Sequence, residues 1–383
     1  MIIRKLMTYA LVSLLVVIFP LNMLMPKTAV ANTTIGVIDY VSLGDSIAYG
    51  LSAPSGQGYS DLFYTYLQSK PELAGLKLYN LAKPGLESSD LLNELKSDSN
   101  VKGALENANI VTVSIGGNNL LGPVIRSVAT AYHLDLSDPQ LNVNLGKALK
   151  NDKNQTNTLL DLALSGTLET ELNTGVGKFE SDWPQMIRLI KAMAPKSQIC
   201  VLTVYNPFSQ DDLLFSLFDP YVQQINKTIK AENGYSIADI YTCFLQGSAL
   251  KPLNYDLLQG QTDPHPTQQG HKMISQTLSN LFELFNASPL ASKIGVMANK
   301  TWTIKFSMPL ADSAGEFIQV YSTTGLPINV SVKPEGQWSD SLVVLPPKDG
   351  YIPGVYSLYI KGGLSSKAGQ KLTKSVRMDF TVS

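Results

Sequence analysis

Between residues 35 and 285 the chain alternates short apolar runs with longer segments of helical pattern. Near-continuous apolar runs are typical of strands that are buried on both faces of a parallel sheet. Right-handed crossovers then place the intervening helices on both sides of that sheet. The alternation predicts a doubly wound α/β/α sandwich with three layers. The five predicted strands are IGVIDYVSLG, LKLYNLA, NIVTVSIGG, ICVLTVYNP and YSIADIYT.

The third and fourth of these strands are separated by roughly eighty residues, far more than one crossover needs. Much of this segment has a helical pattern. We expect a helical insertion at about 120–182 that forms a cap over the functional site.

The sequence pattern changes near residue 296. Short alternating strands with Gly and Pro turns follow, which indicates an antiparallel β-sandwich of fewer than about a hundred residues. A length of 383 residues also suits two domains. We predict one domain at 32–290 and a second at 296–383.

The first 31 residues have the composition of a secretory signal peptide. Arg4 and Lys5 precede an apolar core, and Ala29-Val30-Ala31 supplies small residues at a cleavage site. We predict cleavage after Ala31 and export from a bacterial cell, with attachment to the cell surface left open. The alternative is a permanent membrane anchor, because the apolar core is fairly long.

The net charge of the chain bears on whether nucleic acid is an expected partner. A net charge of −1 gives no electrostatic reason to expect nucleic acid as a partner.

Cys200 and Cys243 fall near opposite ends of the predicted sheet, whereas a disulfide needs Cα atoms within about 7 Å. We therefore favour two thiols over a disulfide. Neither cysteine lies in a CxxC or His-rich setting, so no metal site is expected.

Ser46 lies in a Gly-Asp-Ser turn at the end of the first strand, where a helix begins. Ser and Asp are common helix N-caps, so the residue has a simple structural explanation. The alternative is a nucleophile at the carboxyl edge of the sheet, where doubly wound folds place their sites.

A nucleophilic serine needs a base, and His265 is the best candidate among three histidines. It lies between two prolines in TDPHPTQQGH, with Asp263 two residues upstream. A fixed imidazole beside a carboxylate is what base catalysis on a hydroxyl requires. The alternative is a Pro-rich turn that caps the next helix. His133 falls in the predicted cap, and His271 lies on that helix, where packing or exposure to solvent is expected.

Two further turns offer donors for a developing oxyanion. Gly85 follows the second strand in KPGLESS, and Asn118 follows the third in IGGNN. A backbone amide at a glycine turn and an Asn side-chain amide are suitable donors. Both residue types are also common in ordinary turns.

Together the stretches GDS, KPG, GGNN and DPHP resemble, in order, the four blocks of the SGNH, or GDSL, hydrolase family over residues 35–285. The resemblance implies a flavodoxin-like α/β/α sandwich that hydrolyses esters without metal or cofactor. It implies that Ser46 is the nucleophile and His265 the base. The amides of Ser46 and Gly85 and the side chain of Asn118 would form the oxyanion hole.

Two positions depart from the family pattern. The family usually spaces its acid as D-x-x-H, but here Asp263 is two residues before His265 and Thr262 occupies the usual place. Either the loop bends to bring Asp263 to the ring, or a backbone carbonyl orients His265. Asn119 replaces an Asp that often follows the oxyanion Asn, and we expect it to support the turn.

The substrate is predicted from an apolar run after the fourth strand. Leu213, Leu214, Phe215 and Phe218 could line an acyl-chain pocket, or they could belong to an ordinary buried amphipathic helix. With the cap, this run favours a secreted esterase or lipase acting on acyl or lipid-like esters. An acetylesterase acting on cell-wall or plant polysaccharide is the alternative within catalysis.

The C-terminal segment resembles bacterial immunoglobulin-like (Ig-like) modules in its strand pattern and contains no catalytic constellation. We read it as a spacer or as a module that contacts cell wall or polysaccharide. Trp302, Tyr321 and Trp338 could stack on a glycan, although core packing is the commoner role of such residues. A non-catalytic surface-binding protein is the third overall alternative.

Overall fold

The structure is a computed structural model. It describes residues 39–383 except 74, 139, 152–160, 162–164, 212, 256–262 and 336–339. The predicted signal peptide and Trp338 lie outside the described residues. Within the described ranges, no helix has the length and apolar character needed to cross a membrane.

A five-stranded sheet in the order β2-β1-β3-β4-β5 forms the framework of the N-terminal part of the chain. The pairs β1–β2, β1–β3 and β3–β4 are parallel. This order is that of flavodoxin-like doubly wound folds, so the predicted parallel α/β fold is confirmed. The strands are β1 Asp39–Gly44, β2 Lys77–Asn80, β3 Ala108–Ser114, β4 Gln198–Leu202 and β5 Ser236–Ala238.

Helices separate successive strands. Because the strand order reverses at β1, right-handed crossovers place helices on both faces of the sheet. The helices are α1 Ser46–Tyr49, α2 Tyr59–Gln68, α3 Ser88–Ser97, α4 Ser99–Glu106, α5 Gly117–Ala131, α6 Leu141–Asn151, α7 Thr167–Met193, α8 Leu213–Ala231, α9 Ile240–Gln246 and α10 Gln268–Asn286, with 3₁₀ turns at Pro71–Leu73, Ser248–Leu250 and Asp312–Phe317.

The predicted insertion at about 120–182 is mostly helical in its described parts. Helix α7 begins inside the insertion and continues to β4 as one crossover helix, packing against α3 and α5. Its buried face includes Phe179, Trp183 and Ile187. The long helix at the end of the insertion therefore belongs to the layer beside the sheet. A cap over the site stays a prediction.

Two sheets form the C-terminal part of the chain, one of three strands in the order β10-β11-β7 and one of five in the order β6-β13-β12-β8-β9. Their inward side chains share one core, in which Leu342 and Val344 of one sheet join Val320, Leu358 and Phe380 of the other. The strands are β6 Ser288–Val296, β7 Trp302–Lys305, β8 Ile318–Ser322, β9 Pro327–Ile328, β10 Ser331–Glu335, β11 Ser341–Leu345, β12 Gly354–Ile360 and β13 Val376–Val382.

One strand pair departs from the predicted antiparallel pattern. Strand β6 runs parallel to β13, with Leu290 opposite Met378 and Val296 opposite Val382. The predicted domain end at residue 290 therefore falls inside a strand of the C-terminal sheet. By compactness the described residues divide within α10, after Ser275, with residues 237–239 joining the second unit.

Two of the C-terminal aromatic side chains have packing roles. Trp302 is buried, and its ring lies 5.0 Å from that of Phe380. The ring of Tyr321 packs edge-on against Tyr359 at 6.0 Å. Both contacts match the alternative of core packing. The Ig-like identity of this region stays a prediction.

His271 on α10 fastens the loop between α1 and α2. Its side chain is fully buried. Its Nδ1 accepts the backbone N–H of Tyr59 at 3.1 Å, which leaves Nε2 to donate to the carbonyl of Leu51 at 3.2 Å. Burial lowers the pKa of His271 to about 4. The neutral ring thus satisfies one backbone group at each end of the loop.

The buried, neutral ring of His271 predicts a loss of folding stability in mild acid. The pKa of His271 rises from about 4 to an ordinary value near 6.5 on unfolding. The unfolded chain therefore binds more protons between these pH values, and the ring's contribution is lost as pH falls through that range, by up to about 3 kcal/mol. His271→Asn should flatten the dependence of the unfolding free energy on pH, measured by urea denaturation from pH 7 to pH 4.

The matched control is His133→Asn. His133 lies in the turn after α5 with a φ of 54°, a conformation that Asn tolerates. This variant should keep the wild-type dependence on pH. An unchanged slope in His271→Asn would show that other groups govern the acid transition.

Candidate active site

The backbone at the end of β1 is fixed by Gly44. Its φ is +138°, and a Cβ there would lie 1.9 Å from the carbonyl oxygen of Ser114 in β3. Only glycine fits so close an approach. The next amide, of Asp45, donates to the same carbonyl at 3.1 Å. The chain then turns into α1, with Ser46 at the carboxyl edge of the sheet.

Asp45, rather than Ser46, caps helix α1. Its Oδ1 accepts the backbone N–H of Ile47 at 3.0 Å, and Ser46 is the first residue of the helix. The capping interpretation of Ser46 is therefore wrong, because the preceding residue performs that role. The hydroxyl of Ser46 is left to interact elsewhere.

That hydroxyl meets the imidazole of His265. The Oγ of Ser46 lies 2.9 Å from Nε2 of His265, and both side chains are buried. On the other side of the ring, Nδ1 lies 2.6 Å from Oδ1 of Asp263. The three side chains therefore form one hydrogen-bonded chain. A serine whose proton can pass to a histidine held by a carboxylate is suited to nucleophilic catalysis.

The short D-x-H spacing is accommodated by a turn. Oδ1 of Asp263 accepts both the backbone N–H of His265, at 3.0 Å, and the proton on its ring nitrogen. An Asp that bonds the backbone two residues onward is a common turn former. Of the two alternatives drawn from the sequence, the bent loop is the one observed. Thr262, at the usual acid position, lies outside the described residues.

Ser52 holds the second carboxylate oxygen of Asp263. Its Oγ donates to Oδ2 at 2.6 Å, from a left-handed position with a φ of 64° in the loop after α1. Partial burial acts to raise the pKa of Asp263, but the hydrogen bonds from His265 and Ser52 outweigh it, so the pKa is lowered. The carboxylate therefore stays ionised beside the ring.

The loop that carries His265 is tied down on both sides. The hydroxyl of Tyr205, after β4, donates to the carbonyl of Pro264 at 3.0 Å. The side-chain amide of Asn254 donates to the carbonyls of His265 and Pro266 at 3.2 and 3.1 Å. These bonds fix the height and tilt of the imidazole.

The predicted oxyanion donors differ in their placement. Asn118 lines the same cavity as Ser46 and His265, and its Nδ2 donates one proton to the carbonyl of Leu86 at 3.0 Å. That bond orients the amide and leaves its second N–H. Gly85 lies in the exposed turn after β2 with a φ of +86° and does not line the cavity.

Asn119 has the structural role expected of it. Its Oδ1 accepts the backbone N–H of Ser88 at 2.9 Å, and its Nδ2 donates to Oγ of Ser88 at 2.8 Å and to the carbonyl of Gly175 at 3.3 Å. The side chain is fully buried and joins α3, α5 and α7. It holds the turn that presents Asn118.

A cavity with an open mouth extends from Ser46 and His265 between α5 and α8. No described residue from 122 to 203 lines it. Beyond the polar end, its wall is mostly apolar and includes Leu120, Leu121, Val204, Phe208, Phe218 and Val222.

The predicted acyl-pocket run is the start of helix α8, and only part of it reaches the cavity. Phe218 lines the cavity, whereas Phe215 is half-buried and does not. The side chains of Leu213 and Leu214 lie outside the described residues. The run is therefore part of an amphipathic helix, one residue of which lines the cavity, and its role in binding an acyl chain stays a prediction.

Several residues at the site lie in no sequence motif that marks them as functional. Ser52 contacts Asp263 across 211 positions of the chain, and Tyr205 contacts Pro264 across 59. Asp45 was visible only as part of the Gly-Asp-Ser turn. Burial raises its pKa to about 7, against the hydrogen bond from Ile47 and the charge of His265.

No group of three or more His, Cys, Asp or Glu side chains in the described ranges could hold a metal ion. The two cysteines lie in β4 and α9 and keep their thiol groups, as favoured from the sequence. The hydrogen-bonded chain of Ser46, His265 and Asp263 is thus the candidate site of chemistry.

Comparisons with solved structures find partial likeness. The lipase Lip_vut3 from a goat rumen metagenome is 19% identical, with a TM-score of 0.45, over 63% of this chain and 96% of that one. Phospholipase A1 from Streptomyces albidoflavus NA297 is 20% identical, with a TM-score of 0.39, over 61% of this chain and 94% of that one.

Sequence comparison identifies the family. The uncharacterized protein YpmR of Bacillus subtilis strain 168 is 22% identical over 239 residues, which is 61% of this chain and 77% of that protein. The model of the GDSL-like Lipase/Acylhydrolase family matches residues 42–273, including Ser46 and His265. That match covers more than half of the 383 residues. The chain therefore belongs to the GDSL-like Lipase/Acylhydrolase family.

Proposed function

We propose that the protein is a serine esterase or lipase that hydrolyses carboxylic esters through a triad of Ser46, His265 and Asp263. The observation that carries this proposal is the hydrogen-bonded chain through the imidazole, with 2.9 Å to Ser46 and 2.6 Å to Asp263. Membership of a lipase and acylhydrolase family supports the reaction class.

The proposed reaction has two halves. Ser46 Oγ attacks the ester carbonyl carbon while Nε2 of His265 takes the hydroxyl proton. The tetrahedral intermediate collapses, the bond to the alcohol oxygen breaks, and His265 returns the proton to the leaving alcohol. Water then attacks the acyl-enzyme with His265 again as base, which releases the acid and restores Ser46.

The oxyanion of each tetrahedral intermediate needs donors. The second N–H of Asn118 and the backbone amide of Ser46, two residues that line the cavity, are proposed to supply them, with the amide of Gly85 in the turn before Leu86 as a further candidate. Asn118 is held by the carbonyl of Leu86, so its amide is oriented before substrate arrives. Donors fixed in this way stabilise charge without reorganising during the reaction.

We also propose that the protein is exported, with the mature chain beginning after Ala31. The basic residues, apolar core and Ala-Val-Ala site of the first 31 residues support this. The C-terminal sheets are proposed to form an Ig-like spacer or surface-binding module. Amino-terminal sequencing of protein collected from culture medium tests the cleavage position, and recovery only in membranes would favour the anchor.

Replacement of Ser46 tests the proposed nucleophile. Ser46→Ala should reduce kcat on p-nitrophenyl esters by at least about a thousandfold, because no nucleophile remains. It should also abolish labelling by a fluorophosphonate probe. Ser55→Ala, in the exposed loop after α1, is the control and should keep both the ester turnover and the labelling by the probe.

Turnover that survives in Ser46→Ala would overturn the proposed mechanism. An absence of Ser46-dependent turnover on every ester in the wild type would favour a non-catalytic binding protein. Activity confined to acetate esters and acetylated xylan would instead favour the acetylesterase.

Replacement of Asp263 and of Ser52 tests the proposed acid and the residue that holds it. Asp263→Asn should lower kcat by about 10²- to 10⁴-fold, because an amide donor toward Nδ1 favours the wrong tautomer of His265. Ser52→Ala should lower kcat by about three- to tenfold with KM unchanged, since water replaces part of the lost hydrogen bond. Ser52→Gly removes the same hydroxyl and suits the left-handed backbone at this position, so it should lower kcat by a similar factor.

Adding Ser52→Ala to Asp263→Asn should cost little more, because both changes act through the same ring. Additive losses in this double-mutant cycle would mean that Ser52 contributes by another route. The cycle is measured as kcat on one ester at a fixed pH.

Replacement of Asn118 tests the proposed oxyanion hole. Asn118→Ala removes an oxyanion donor and should lower kcat about a hundredfold or more. Leu86 loses its partner at the same time, so circular dichroism and the thermal midpoint check that the fold is intact. A change in KM alone would place Asn118 in substrate binding instead.

A further inference from the structure

We propose that the cavity beside Ser46 is an acyl-chain pocket and that Phe208 is the wall residue that limits the length of the chain. The preferred substrates are then esters of apolar acyl chains longer than acetyl. This inference rests on the proposed ester hydrolysis, and it names the substrate class of that same site.

Three polar side chains that line the cavity already have partners within the protein, and Asn118 keeps one N–H, which the proposed oxyanion would use. Tyr205 donates its hydroxyl to the carbonyl of Pro264, Asp45 accepts from Ile47, and Ser46 pairs with His265. Buried polar groups left without partners are costly, so sugar hydroxyls would be poorly received here. An apolar chain needs no partner and gains by leaving water.

Phe208 forms a firm part of the wall. It is 2% exposed, and its ring packs 5.2 Å from that of Phe218 and, edge-on, 4.9 Å from that of Tyr255. Phe208 and Phe218 line the cavity, whereas Tyr255 does not. Tyr255 therefore stands behind the wall, and shortening Phe208 would open space toward it.

The backbone at Phe208 is fixed by Asn206. Oδ1 of Asn206 accepts the N–H of Phe208 at 3.2 Å, while its Nδ2 donates to the carbonyl of Phe215 at 3.1 Å and to Asp219 at 3.3 Å. The hydroxyl of Tyr241 also donates to Asp219, at 2.8 Å. This network fastens the wall segment to the first turns of α8.

Helix α8 supplies the adjoining part of the wall. Phe218 and Val222 are four residues apart, so they lie on one face of the helix, and both line the cavity. Val222 offers a second position at which the pocket can be altered. A larger side chain at Val222 should shorten the pocket. Phe208→Ala should lengthen it.

The experiment measures kcat/KM for p-nitrophenyl esters from acetate to palmitate. Each ester is used at a concentration at which it is monomeric in solution. In the wild type, kcat/KM should rise by up to about fourfold per methylene until the wall is reached. Phe208→Ala should raise the ratio of dodecanoate to butyrate turnover at least about tenfold. Val222→Phe should lower the same ratio.

The matched control is Tyr221→Ala, which removes an aromatic ring from the neighbouring position on α8. Tyr221 is half-buried and does not line the cavity, so the chain-length profile should stay as in the wild type. Using a ratio of two substrates cancels any loss of folded protein in each variant.

The outcomes separate this inference from the proposed function. Ser46-dependent turnover with a chain-length profile unchanged in both Phe208→Ala and Val222→Phe would overturn the acyl-pocket assignment while leaving the esterase intact. A wild type that is fastest on acetate would also overturn it. No Ser46-dependent turnover on any ester would instead remove the proposed function itself.

Discussion

The site depends on a single imidazole whose two nitrogens are both committed. Nε2 of His265 faces Ser46, which is 219 positions away in the chain, and Nδ1 faces Asp263. A ring rotated by a small angle would lose both contacts, so its backbone must be held from several directions. Tyr205 and Asn254 hold it through the carbonyls around it. The parallel sheet brings the ends of β1 and β4 to the same edge, and that is what makes these bonds possible.

The parallel sheet could be predicted because its central strands β1, β3 and β4 are almost entirely buried. Such strands appear as continuous apolar runs, and helices between them leave few topologies open. Strand β6 carries no comparable signal, since nearly all of its residues are exposed along one edge. Its partner, β13, lies at the far end of the chain, so the parallel pairing has no local cause that a sequence pattern could record.

The candidate site was predictable where its residues sit in short motifs and unpredictable where they meet by tertiary packing. Ser46 and His265 could be named because each lies in a local turn of distinctive composition. The closeness of Asp263 to the ring depends on a turn that uses one carboxylate oxygen twice, which the D-x-H spacing does not reveal. Ser52 has no motif at all. In the cavity wall, Phe218 was predicted as a member of an apolar run, whereas Phe208 had no such run around it.

The segment from Tyr205 to Phe208 has two duties on one short stretch of backbone. Its first residue holds the loop of the base through Pro264, and its last residue forms part of the cavity wall. Three peptide bonds separate these duties, so a shift of the wall is transmitted to the imidazole. Under the proposed function, selection for a different acyl group would therefore also act on the rate of proton transfer. Evolutionary drift in substrate preference along this stretch is limited to changes that leave the backbone in place.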